Sequence, residues 1–177
     1  MDALIFVVRT VLQVLLVTVV LLRVLLPLVR ADSRNQLSQA VIRFTNPLVL
    51  PLRRILPPIG KIDTASIVAL LIVQIAATAI LWSLHQYPSV FTVPQFLQVA
   101  FIDLVISVLQ FYTFALFLYV LLGWVAPGTY SPAAAMLGSI CEPLLRPIRR
   151  VIPPFGGIDL SALVLIIALQ ALVILIT

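Results

Sequence analysis

The chain has 177 residues, 63% hydrophobic and 10% charged, against about 45–50% and 25% in soluble globular domains. Its net charge of +5 comes from 11 lysines and arginines set against 6 acids. Too few polar residues remain to cover a soluble core, so the composition excludes an ordinary soluble domain and marks a polytopic membrane protein. A single cysteine, Cys141, excludes an intrachain disulfide or a cysteine metal cluster, and it reads as a small apolar packing residue.

In chain order, the first apolar span runs over 3–28 and is closed by Pro27 and the polar run from Arg30 to Gln36. It lacks a basic start and exceeds the roughly 7–15 residues of a signal core, which reads as a retained span. A proline- and arginine-rich element fills 33–62. The second span covers 64–84, ahead of the turn-prone Tyr87-Pro88-Ser89. The third, over 95–125, would measure about 45 Å as a helix. That is longer than the roughly 30 Å bilayer core, so it must tilt or lay its first turns on the surface. A second proline- and arginine-rich element at 131–158 and a fourth span at 160–177 complete the chain. The expected fold is an all-α membrane protein of four transmembrane helices.

The two connecting elements are copies. Pro47-Leu-Val-Leu-Pro-Leu-Arg-Arg-Ile-Leu-Pro-Pro-Ile-Gly-Lys-Ile-Asp63 returns as Pro143-Leu-Leu-Arg-Pro-Ile-Arg-Arg-Val-Ile-Pro-Pro-Phe-Gly-Gly-Ile-Asp159, without a gap. The chain is a duplication, with repeats at 1–90 and 91–177. The basic residues cluster in both elements, and none lies between His85 and Gln95. Because such an excess marks the cytoplasmic side, both termini are expected outside. Two crossings per unit make the repeats parallel, as in one transporter class.

Within each copy, interior prolines argue against a continuous helix, since each removes a hydrogen bond at about 3 kcal/mol. Proline suits a first helical turn, so one short helix is expected over 51–56 and another over 147–152. Pro57-Pro58 and Pro153-Pro154 then end them, and Gly60, with Gly156 and Gly157, permits a reversal. Asp63 and Asp159 fall where the following spans need N-caps. Arg53, Arg54, Arg146, Arg149 and Arg150 can run their stems along apolar surface and reach lipid phosphates. Upstream, Leu37, Val41 and Phe44 share one face of an interfacial helix over 35–45. Two readings stay open: a structural knee anchored at the headgroups, or paired arginines recognising an anionic ligand, lipid or protein partner.

The second copy, through Ser161, resembles the signature of the YggT family of bacterial membrane proteins. That family is related to YlmG proteins and to a plastid factor for cytochrome b6 maturation. Length, duplication and four spans resemble its long bacterial form, which implies the bacterial inner membrane. The first copy departs at Leu50, opposite Arg146, and at Lys61, opposite Gly157. The resemblance implies links to osmotic tolerance and potassium uptake, to division or nucleoid distribution, and to haem-protein assembly, which share no chemistry.

Polar residues inside the spans offer further candidates, because charge at membrane depth is usually paired or functional. Arg9 and Asp103 sit at similar depth and invite a salt bridge, or each reaches the outer headgroups alone. Arg23 reads as an inner anchor. Gln74 and Gln170 occupy equivalent positions about 16 Å beyond their capping aspartates. They either bond across the repeat axis or line a path for ions or water.

No metal ligand set, phosphate loop or nucleophile elbow is present, so neither enzyme activity nor a cofactor is expected. The basic charge is suited to anionic membrane lipids rather than to direct nucleic-acid contact. The expected function is a non-enzymatic accessory or scaffold protein in membrane or osmotic homeostasis or in membrane-complex assembly, with a membrane-protein partner and a homo-oligomer as candidate associations. The alternative is a small channel, transporter or transport regulator for potassium or osmolytes, which would need a homo-oligomer to wall a pore.

Overall fold

A computed structural model describes residues 2–29, 31–32, 34–60, 62–84, 92–125, 131–151 and 159–177. Among them the fold is helical, with one isolated bridge between Ile59 and Ile62. The elements are α1 (Asp2–Arg9), a π-helical stretch (Thr10–Val17), α2 (Thr18–Leu28), α3 (Gln36–Arg53), α4 (Thr64–Ser83), α5 (Val93–Val125), α6 (Pro132–Val151) and α7 (Leu160–Ile176).

Among the described residues three helical segments are long and apolar enough to cross a membrane: Phe6–Leu28, Thr64–Ser83 and Val93–Val125. They mark a membrane protein. The last of them is one unbroken helix of 33 residues. The segment expected as a fourth span, α7, has 17 residues, about 25 Å of helix, and falls short of the roughly 20 residues that span a bilayer core.

The duplication reappears in three dimensions at the same register. Gln36 and Pro132 open α3 and α6, while Thr64 and Leu160 open α4 and α7. Each of these two pairs is 96 positions apart. A polar side chain precedes both proline-bearing helices. Asn35 Oδ1 accepts from the Leu37 N–H at 2.9 Å and Ser131 Oγ from the Ala134 N–H at 3.1 Å, which satisfies otherwise orphaned donors. Asn35 Nδ2 also donates to the Pro132 carbonyl at 2.6 Å, so α3 and α6 begin together.

The expected short helices at 51–56 and 147–152 are corrected. α3 runs unbroken through Pro47 and Pro51, and α6 through Pro143 and Pro147. All four prolines are exposed, so the carbonyls they leave unpaired need not be buried. In α3 they lie across the helix from the buried line of Ser38, Thr45 and Val49. In α6 burial of Met136, Leu137, Ile140, Cys141 and Leu145 holds the helix. Packing on one face outweighs a local cost on another. Upstream in α3, Leu37 and Phe44 are exposed, as are the polar Gln36, Gln39 and Arg43.

The chain packs as two compact units, Met1–Val24 with Val41–Val108, and Leu25–Ala40 with Leu109–Thr177. This packing division is a different one from the division into sequence copies. In the first unit α4 lies against α1 and the π-helical stretch. Ala65, Ala69 and Ala77 are buried along α4, and such small residues let apolar helices approach closely. In the second unit α6 packs on α7, with Leu116, Ile140 and Leu145 fully buried.

Candidate functional site: the arginine–aspartate clamps

Each copy places an arginine from the end of its proline-bearing helix against the aspartate that begins the next helix. Arg53 Nη2 donates to Asp63 Oδ2, and Arg149 donates to Asp159 Oδ2 from Nε at 2.9 Å and from Nη2 at 2.5 Å. Between the clamped residues of the first copy the chain reverses tightly. Ile59 and Ile62 exchange backbone hydrogen bonds at 3.1 and 3.0 Å, with Gly60 at φ +60°, a conformation that glycine adopts without strain. The Pro57 carbonyl accepts from Thr64 Oγ1 at 2.8 Å. The corresponding turn residues Pro153, Pro154, Gly156 and Gly157 lie outside the described residues, as does His85.

The paired arginines therefore divide, although the sequence treats them alike. Arg53 and Arg149 turn to their aspartates. Arg54 and Arg150 are exposed, as is Arg146, which lies 3.9 Å from Glu142.

The two aspartates also differ. Asp159 caps α7 as expected, accepting from the Ser161 N–H at 3.1 Å. The expected side-chain cap at Asp63 is corrected: its carboxylate makes no such bond and instead accepts from Ser66 Oγ at 2.7 Å. The cause is a one-residue shift of the serine. The first copy has Ala65-Ser66 where the second has Ser161-Ala162, so only the first offers a hydroxyl one turn into the helix.

Burial would raise the Asp63 carboxyl, but hydrogen bonds from Ser66 and Arg53 outweigh it and hold it below the usual carboxylate range. Burial has the same effect on Asp159, overcome by Arg149 and Ser161. Burial would lower Arg149, yet its contacts with Asp159 and the Tyr119 hydroxyl raise it above its ordinary value.

Two neighbours were not legible as site residues. Glu142 accepts from Arg149 Nη1 at 2.9 Å, so Arg149 bridges two carboxylates. Its position seven residues before that arginine was the available signal. Arg23, expected as an anchor at the headgroups, is instead only 5% exposed. It lies within electrostatic reach of Arg53 and Asp63, and its Nη1 has no hydrogen-bond partner.

Elsewhere in the first unit, Arg9 and Asp103 are linked through Gln13. Arg9 Nε donates to Gln13 Oε1 at 3.2 Å, and Gln13 Nε2 to Asp103 Oδ2 at 3.3 Å. Gln13 sits in the π-helical stretch, a geometry often found at functional sites. Gln74 is buried and donates to Thr78 Oγ1 at 3.3 Å, while its Oε1 is unpartnered. Gln170, at the equivalent position, is exposed, so the two glutamines are not a matched buried pair. Burial pushes the Cys141 thiol up to about 12, which keeps it neutral and suits a packing role. No group of acids, histidines and cysteines among the described residues could hold a metal ion.

Fold and site together define a helical membrane protein built by duplication, with an arginine–aspartate clamp in each copy. The CCB3/YggT family model matches residues 1–84 and 98–177, and the chain belongs to that family. Relatives include the "Uncharacterized protein PA0392" of Pseudomonas aeruginosa, 43% identical over 86% of this chain and 77% of that protein. The "Uncharacterized protein YggT" of Escherichia coli K12 is 34% identical over 97% of this chain and 88% of its own length. A Vibrio alginolyticus protein, "Uncharacterized protein in proC 3'region", is 35% identical over 96% and 91%. No solved structure matches the chain.

Proposed function

We propose that this protein is a non-enzymatic accessory or scaffold protein of the bacterial inner membrane, acting in membrane or osmotic homeostasis or in the assembly of a membrane complex. In this reading α7 is a short fourth span, both termini face outward, and the proline-bearing helices lie at the inner headgroups. One observation carries it: each clamp ties one arginine to the aspartate that opens the next helix and leaves its neighbour, Arg54 or Arg150, exposed. Such a clamp with an outward guanidinium suits anionic headgroups or an acidic membrane partner.

A second reading, transport of potassium or osmolytes, is favoured by Gln74, whose buried carbonyl oxygen is unpartnered. The discriminating experiment pairs native purification in mild detergent with flux into liposomes. The accessory reading expects a co-purifying membrane complex that is lost in the Arg54→Gln, Arg150→Gln chain, and no flux. Potassium flux abolished by Gln74→Leu would instead establish transport.

A further inference from the structure

The two clamps have the same skeleton but different charge balance: the first carries an excess cation and the second is balanced. On α6, Glu142, Arg146 and Arg149 occupy the register that Asn46, Leu50 and Arg53 occupy on α3. Arg149 has both edges of its guanidinium engaged, one by Asp159 and the other by Glu142 at 2.9 Å. Arg53 has Asp63 as its only acid among the described residues, and its side chain is 41% exposed. Arg23 lies within its electrostatic reach, where the second copy has Tyr119. The first clamp thus holds two guanidinium groups against one carboxylate. The second balances Arg146 and Arg149 with Asp159 and Glu142.

The charge of Arg53 and Arg23 exceeds what Asp63 offsets, and such an excess cation is stabilised when a further anion completes it. The Glu142 carboxylate shows where that anion would sit: on the outer edge of the arginine, two turns back along the helix. In the first copy this place is bordered by the neutral Asn46, whose amide can donate, and by the half-exposed Leu50.

We infer that the first clamp is a binding site for the phosphate of an anionic phospholipid, seated between Arg53 and Asn46 where Glu142 sits in the second copy. A guanidinium edge matches phosphate geometry. The exposed Leu50, replacing Arg146, offers apolar contact to a lipid rather than a second cation to a free ion. The second copy carries its own anion and is closed to the ligand. This inference rests on placing the proline-bearing helices at the inner headgroups.

The copies themselves supply the test. Native mass spectrometry of the full chain in neutral detergent would follow retention of phosphatidylglycerol against phosphatidylcholine, with inorganic phosphate as competitor. Asn46→Glu transplants the internal anion and is expected to weaken phosphatidylglycerol retention at least about tenfold, the loss of one charge-assisted contact. Glu142→Asn is expected to open a second site, and it keeps the proposal testable should Asn46→Glu misfold. Unchanged retention in both variants overturns the site. Complete displacement by inorganic phosphate overturns the lipid assignment in favour of the free ion. If Arg54→Gln with Arg150→Gln weakens vesicle binding while Asn46→Glu does not, the seat is wrong and the headgroup reading stands.

Discussion

Asp63→Asn is expected to destabilise the protein by about 3 kcal/mol, and Arg23→Leu in the same chain to recover most of that loss. Among the described residues Asp63 is the one acid facing Arg23 and Arg53, and it is buried. Removing one partner of a buried ion pair costs about 3–5 kcal/mol because it strands the other charge. The lower end applies here because Arg53 is partly exposed and screened. Replacing Arg23 with an apolar residue removes the stranded buried charge, so the two changes should be strongly non-additive. Denaturant unfolding of the detergent-solubilised chain would measure both. An additive pair would show that Arg23 does not depend on Asp63.

The equivalent change in the second copy should be milder, since Glu142 keeps Arg149 paired after Asp159→Asn. The pH dependence follows from the depressed Asp63 carboxyl. Its contribution is fully present above the unfolded carboxylate value of about 3.9 and is lost as pH falls through the lower folded value. Asp63→Asn should flatten that acid limb.

How much of this was readable beforehand varied with the range of the interaction. The register between the copies, the reversal at Gly60 and the cap at Asp159 all rest on local chemistry, and the sequence carried them. The continuity of α3 and α6 was not readable, because a proline's cost is local while the burial of Val49 or Ile140 depends on distant segments. The division of labour within each arginine pair was hidden for the same reason: adjacent identical residues point to different surroundings. Gln74 and Gln170 make the point most clearly. They share a residue type and a repeat position, yet one is buried and the other exposed. Arg23 looked like an interfacial anchor because helical depth alone does not say which neighbours close over a side chain. The link from Arg9 to Asp103 required Gln13, whose spacing of four from Arg9 was visible but whose reach across to α5 was not.

The proline-bearing helices make the second large prediction. Ile140 is fully buried on α6, and Ile140→Ala should cost about 2–5 kcal/mol through lost burial and the cavity left behind. In an ordinary helix that loss would leave the backbone intact. α6 contains Pro143 and Pro147, each worth about 3 kcal/mol against the helix, so packing on α7 is what keeps it continuous. Ile140→Ala should therefore reduce helix content by circular dichroism and, by loosening Arg149 from Asp159, expose the start of α7 to amide exchange. Adding Pro143→Ala should restore helix content without refilling the cavity, because it returns a backbone donor to the Ser139 carbonyl. Helix content unchanged in the single variant would mean that α6 holds its shape without its buried face, and the priority of packing over local propensity would be lost.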